Sequence, residues 1–155
     1  MYPYLPENRK ILYVEPKNKF MKEATELLAK SHCVRPTAAV IVKAGKIIGR
    51  GMNAIKNKRP DICPIMTHKR GTVYNLCQEI CGQEGHAEVM AIRDALKKTK
   101  NLKGANLYLA GHWWVCKPCW DEIIKVGISR VYLNTASLDE LRRKRSQIRR
   151  KQSQE

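Results

Sequence analysis

The sequence predicts an α/β fold, a central mixed sheet with helices packed on both faces. Three observations predict it. In the C-terminal half, short β-branched apolar runs alternate with apolar stripes at helical spacing. That strand–helix–strand–helix–strand order requires parallel crossover connections, which place helices over the sheet. Nearer the N-terminus, two extended runs flank the turn Ala44-Gly45-Lys46 and predict a hairpin. The composition agrees, since 155 residues with 43% hydrophobic and 28% charged content suffice for one ordinary globular domain.

The elements follow in order. Residues 1–17 are broken by charge and proline and are expected to be an N-terminal extension with no signal-peptide core. Residues 18–30 read as a helix that Asn18 caps, with Phe20, Met21, Ala24, Leu27 and Leu28 as its apolar stripe. Residues 37–42 and 47–53 are the hairpin strands. Residues 54–84 are rich in Pro, Gly, Lys and Cys and have weak periodicity. A stretch that long inside a domain needs a function or a staple. A helix over 86–98 follows Gly85, with Val89, Ile92, Ala95 and Leu96 on its buried side. Residues 105–110 form a third strand, 118–126 a short helix closed by Gly127, and 130–134 a fourth strand. Ser137 is placed to cap a last helix. The folded domain is thus expected over 18–135, with the insertion 54–84 inside it and a basic helix or tail over 136–155.

The formal net charge of +16 favours anionic partners such as nucleotides or nucleic acid. The excess is concentrated. Seven of the ten residues from Arg142 to Lys151 are basic. Such a run reads either as a solvated tail or as an arm for phosphate contacts whose binding weakens with salt. No apolar stretch is long enough to span a membrane, so no membrane partner is expected and the cytoplasm is the expected location. Inside a cell, the six cysteines point to metal or redox chemistry more than to structural disulfides.

The chemistry concentrates in His86-Ala87-Glu88 and Cys116-Lys117-Pro118-Cys119. Both open predicted helices, whose positive ends favour thiolates and hydroxide. One imidazole and two thiols suit a catalytic zinc that keeps its fourth position open. Glu88 is then free to carry protons. His-x-Glu with a distant Cys-x-x-Cys is the signature of zinc nucleobase deaminases. Rival readings are a structural zinc knuckle and a thioredoxin-like Cys-x-Pro-Cys redox pair. The redox reading leaves His86 and Glu88 without a task.

Over about residues 20–135 the chain resembles the deoxycytidylate (dCMP) deaminase-like branch of the cytidine deaminase superfamily. The resemblance rests on Ser31-His32-Cys33-Val34-Arg35, Ala38-Ala39-Val40-Ile41-Val42, Gly49-Arg50-Gly51-Met52-Asn53, Cys63, Cys77, the two motifs above and Gly127-Ile128. It implies a three-layer α/β/α fold whose mixed sheet has five strands, against the four that are legible here. It implies zinc on His86, Cys116 and Cys119, with Glu88 moving a proton to N3 and the leaving amine as cytosine becomes uracil. It further implies a base and sugar contact at Asn53, reading of the base carbonyl by the Ala87 N–H, a 5′-phosphate partner at Arg35, and a homo-oligomer, often a dimer or hexamer. Trp113 and Trp114 are candidates for the wall of the base pocket. The chain departs from the family in having Val115 where a proline usually precedes the first cysteine, and Gly111-His112-Trp113-Trp114 as the lead-in.

Cys63, His68, Cys77 and Cys81 in the insertion are candidates for a second, structural zinc, which some relatives carry. Three functions remain open on the sequence. The first is deamination of dCMP or a close analogue. The second is deamination of cytosine or adenine in tRNA or single-stranded DNA, with the basic tail on the strand. The third is a non-catalytic zinc module that binds nucleic acid.

Overall fold

The computed structural model describes residues 3–57, 63 and 74–153. Its elements are β1 (Ile11–Val14), α1 (Lys19–Leu27) running into a 3₁₀ turn (Leu28–Lys30), β2 (Ala38–Lys43), β3 (Lys46–Met52), α2 (Tyr74–Glu79), α3 (Ala87–Leu96), β4 (Asn106–Ala110), α4 (Lys117–Lys125), β5 (Arg130–Asn134) and α5 (Ser137–Gln152). The five strands form one mixed sheet in the order β1-β5-β4-β2-β3. β1, β5 and β4 run parallel, and β2 is antiparallel to both β3 and β4. Among the described residues, no helix is long and apolar enough to cross a membrane.

The fifth strand lies inside the segment expected to be an extension. Ile11–Val14 pairs with Val131–Asn134 at the sheet edge. A four-residue edge strand carries too short a pattern to be read from periodicity, and pairing with β5 is what makes it a strand. Arg9 helps to dock this segment, donating to the carbonyl oxygens of Ile128 and Ser129.

Strand alternation divides the core into two layers. Ala39 and Ile41 of β2, Leu107 and Leu109 of β4, and Val131 and Leu133 of β5 face α3 and α4. Ala38, Val40 and Val42 with Tyr108 and Ala110 face α1, where Met21, Ala24 and Leu27 fill the layer. The expected helix start holds, because Asn18 Oδ1 accepts from the Phe20 and Met21 N–H groups. The expected Ser137 cap does not. Ala136 occupies the cap position with no side-chain bond, and the Ser137 hydroxyl instead donates to the His112 carbonyl. The hairpin turn has positive φ at both Ala44 and Gly45, as a tight two-residue turn of right-handed twist requires.

α3 lies unusually close to β3, and two glycines permit it. A Cβ on Gly49 would sit 2.7 Å from the Ala95 Cβ, and one on Gly51 would sit 2.5 Å from the Ala87 carbonyl oxygen. The obstruction at Gly51 is the backbone of α3, which cannot rotate away. Gly51→Ala is therefore expected to destabilise the fold by about 3 kcal/mol, at the upper end of overpacking costs. The midpoint of urea unfolding measures this, and an unshifted midpoint would show that α3 can retreat freely.

Candidate functional site

Three donor groups meet where two helices begin. His86 occupies the cap position of α3 (φ −70°, ψ 159°) and Cys116 that of α4 (φ −73°, ψ 159°). Neither side chain bonds the N–H groups of its own helix, so both remain available across the gap. Cys119 follows in the first turn of α4 and is buried. His86 Nδ1 is 3.4 Å from the Sγ atoms of both Cys116 and Cys119. All three donor atoms lie within 4.8 Å of one another. Zinc–nitrogen and zinc–sulfur bond lengths in a tetrahedron require an N···S separation of about 3.6 Å. The trio thus fits zinc in spacing and in softness, and three ligands leave a fourth position open.

The same groups polarise one another. Hydrogen bonds from Cys119 and His86 pull the Cys116 thiol down to about 4. The Cys119 thiol is pushed up, first by its bond to Cys116 and then by burial. The bond to Cys116 holds the His86 imidazole above its ordinary value despite burial. Glu88, 5% exposed in the first turn of α3, is pushed up to about 7, chiefly by burial. It also shares a hydrogen bond with Cys119. A carboxyl group poised near neutrality beside three metal-type donors can accept and release a proton at working pH.

Comparison with known proteins agrees with this geometry. The cytidine and deoxycytidylate deaminase zinc-binding region matches residues 14–135, which include all four side chains. The chain belongs to that family. It is a hydrolytic deaminase of nucleotides or bases. The apo dCMP deaminase of the cyanophage S-TIM5 is 25% identical, with a TM-score of 0.53 over 81% of this chain and 88% of that one. The same phage enzyme in complex with dCMP and dUMP is 23% identical, with a TM-score of 0.54 over 84% and 93% of the two chains. Guanine deaminase from Bacillus subtilis is 24% identical, with a TM-score of 0.50 over 81% and 69%. The last two likenesses bear on the common fold. No curated protein sequence matches the chain significantly.

The remaining sequence candidates of the deaminase lie in different settings. Ala87 is fully buried as the first residue of α3, where backbone N–H groups have no partner within the helix. Asn53 is 8% exposed and is the hub of a buried polar network. Its Oδ1 accepts from the Ser31 hydroxyl at 2.6 Å and the Thr37 N–H at 2.8 Å, and its Nδ2 donates to the Arg35 carbonyl at 2.8 Å. Its own carbonyl accepts from Ser31 Oγ and Gln83 Nε2. Arg35 is exposed just before β2 and joins the network through its backbone. Trp114 is 7% exposed and packs with Trp113, Leu141 and Ile11, its indole N–H donating to the Tyr4 carbonyl. That ring is taken up in packing.

In the insertion, Cys77 is buried within α2 and Cys81 in the turn that follows it, and Cys63 is half-buried. Burial pushes the Cys77 thiol up to about 11, and the charges of Cys63, Cys81 and Cys33 add to it. Cys81 is raised by burial and then by Cys33 and Cys63. Cys33 was not among the sequence candidates, yet its charge acts on both thiols. The signal was its place in Ser31-His32-Cys33-Val34-Arg35, far away along the chain. His68 lies outside the described residues. Among the described residues, only the trio has donor atoms within mutual ligand distance.

Ser31 and Gln83 were also missed as partners of Asn53, since nothing in their spacing announces the contact. Asn53→Ala would leave the Thr37 N–H and the Arg35 carbonyl short of partners and leave the Ser31 hydroxyl only its longer bond to the residue 53 carbonyl. It is expected to cost about 3 kcal/mol. Urea unfolding of the variant checks the value, and a loss under a few tenths would mean that water replaces the amide.

Proposed function

We propose that this deaminase hydrolyses the amine of a cytosine mononucleotide, with dCMP the first choice, using one zinc held by His86, Cys116 and Cys119. The observation that carries the reading is the convergence of those three donors beside a buried Glu88. Zinc in such a site supplies a water-derived nucleophile at neutral pH. The chain's own residues do the rest. As the water oxygen bonds to C4, Glu88 takes one of its protons and gives it to ring N3; it then takes the second proton from the new C4 hydroxyl and gives it to the amine, so the C4–N bond breaks, the carbonyl forms and ammonia leaves neutral. Its raised affinity for protons suits both halves of that cycle. The Ala87 N–H, at the positive end of α3, donates to the base carbonyl. Asn53 has a second amide hydrogen left for the sugar or base, while its network fixes its orientation. Exposed Arg35 is the candidate for the 5′-phosphate.

A second, structural zinc in the insertion, on Cys63, His68, Cys77 and Cys81, belongs to the same proposal; the burial of Cys77 and Cys81, with Cys63 half-buried, supports it. Elemental analysis is expected to find two zinc ions per chain, falling to one in Cys77→Ser. A single ion in the parent chain would remove this second site.

Ammonia release from dCMP, compared with release from cytosine- and adenine-containing oligonucleotides, tests the substrate. Activity on dCMP is expected, and activity confined to oligonucleotides would overturn the choice. Glu88→Gln is expected to lower kcat at least about a hundredfold while leaving the zinc content intact. Full activity in that variant would refute the proton-carrying role. His86→Ala is expected to lose both metal and activity.

A further inference from the structure

The densest charge in the chain lies on α5. From Arg142 to Lys151 it carries seven cations, whereas its acids, Asp139 and Glu140, sit in the first turn. Among the described residues, Arg142 is the one cation of that run with an ion pair, to Asp139 at 3.6 Å, and both side chains are at least 75% exposed. Such a pair neutralises little. The helix buries only Leu141, so the core gives no reason for the charge. Arg142, Arg143, Ser146, Gln147 and Arg150 line one shallow groove along it. Their spacing keeps them on a single face of the helix.

The groove is also rooted near the active site. Leu141 packs against Trp113 and Trp114, and Ser137 bonds the His112 carbonyl. That segment leads directly into Cys116. Because β4 and β5 are parallel, α5 leaves the sheet at the same edge from which α4 starts.

We infer that α5 is a docking surface for the phosphate backbone of a nucleic acid, contacted by Arg142, Arg143 and Arg150 with help from Ser146 and Gln147. Five of the seven cations are arginines, whose planar fork matches phosphate oxygens in pairs. From residue 142 to 150 the helix rises about 12 Å, a length suited to successive phosphates and more than a mononucleotide presents. The groove has no aromatic ring for stacking, so it reads phosphates and not bases. α5 lacks the broad apolar face of a helix that lies in a membrane surface, with Leu138, Leu141 and Ile148 as its only large apolar residues. This inference goes beyond the mononucleotide reading and does not depend on it, since a docked strand need not be the substrate.

Fluorescence anisotropy with a labelled single-stranded oligonucleotide, repeated from about 50 to 200 mM salt, tests the surface. The triple variant Arg142→Gln, Arg143→Gln, Arg150→Gln is expected to bind about tenfold or more weakly. Its plot of log affinity against log salt should be shallower by about 2, the share of three lost phosphate contacts on a single strand. The triple Lys variant should keep the parental slope, and circular dichroism should show equal helix content in all three proteins. Parental affinity and slope in the Gln variant would overturn the inference. So would binding of the parent chain to phosphatidylserine vesicles but not to the oligonucleotide.

Discussion

The site depends on two helix N-termini being held a few ångströms apart over one sheet. α3 brings His86 and Glu88, and α4 brings Cys116 and Cys119. Their shared layer, from Ala91 and Ala95 to Trp120 and Ile123, is what fixes the distance. On the far side of α3, Gly49 and Gly51 let the helix settle against β3 backbone to backbone. Small residues on both surfaces thus set the depth of α3, and that depth brings His86 Nδ1 to 3.4 Å from each sulfur.

A second layer of order comes from polar groups buried beside the apolar core. Ser31, Asn53 and Gln83 tie three separate loops together, the one before β2, the one after β3 and the one before α3. Backbone bonds from Lys56 and Asn57 to the Cys81 carbonyl extend the same seam into the insertion. Fully bonded buried polar groups specify one arrangement of loops where apolar packing alone would tolerate several.

α5 is attached differently. Its single buried residue rests on the tryptophan pair that precedes Cys116. Aromatic bulk in the lead-in segment therefore anchors a helix. The family's usual proline before the first cysteine is replaced by Val115, which is fully buried in the main core. Of the departures that mark the lead-in in sequence, the tryptophans pack the C-terminal helix and Val115 packs the main core.

Much of this deaminase was legible in the sequence, because the signals were local. Helix periodicity, the Asn18 cap, the glycine after α4 and the hairpin turn each depend on residues a few positions apart. The two motifs were legible for the same reason, since ligand spacing within a motif follows helix geometry. What only tertiary structure decided involves residues far apart along the chain. Ile11–Val14 becomes a strand only by pairing with Val131–Asn134. Asn53 finds Ser31 and Gln83, and Ser137 turns from capping to His112. Composition and spacing along a chain encode local propensity, whereas contacts between distant residues exist only once the sheet has brought those residues together.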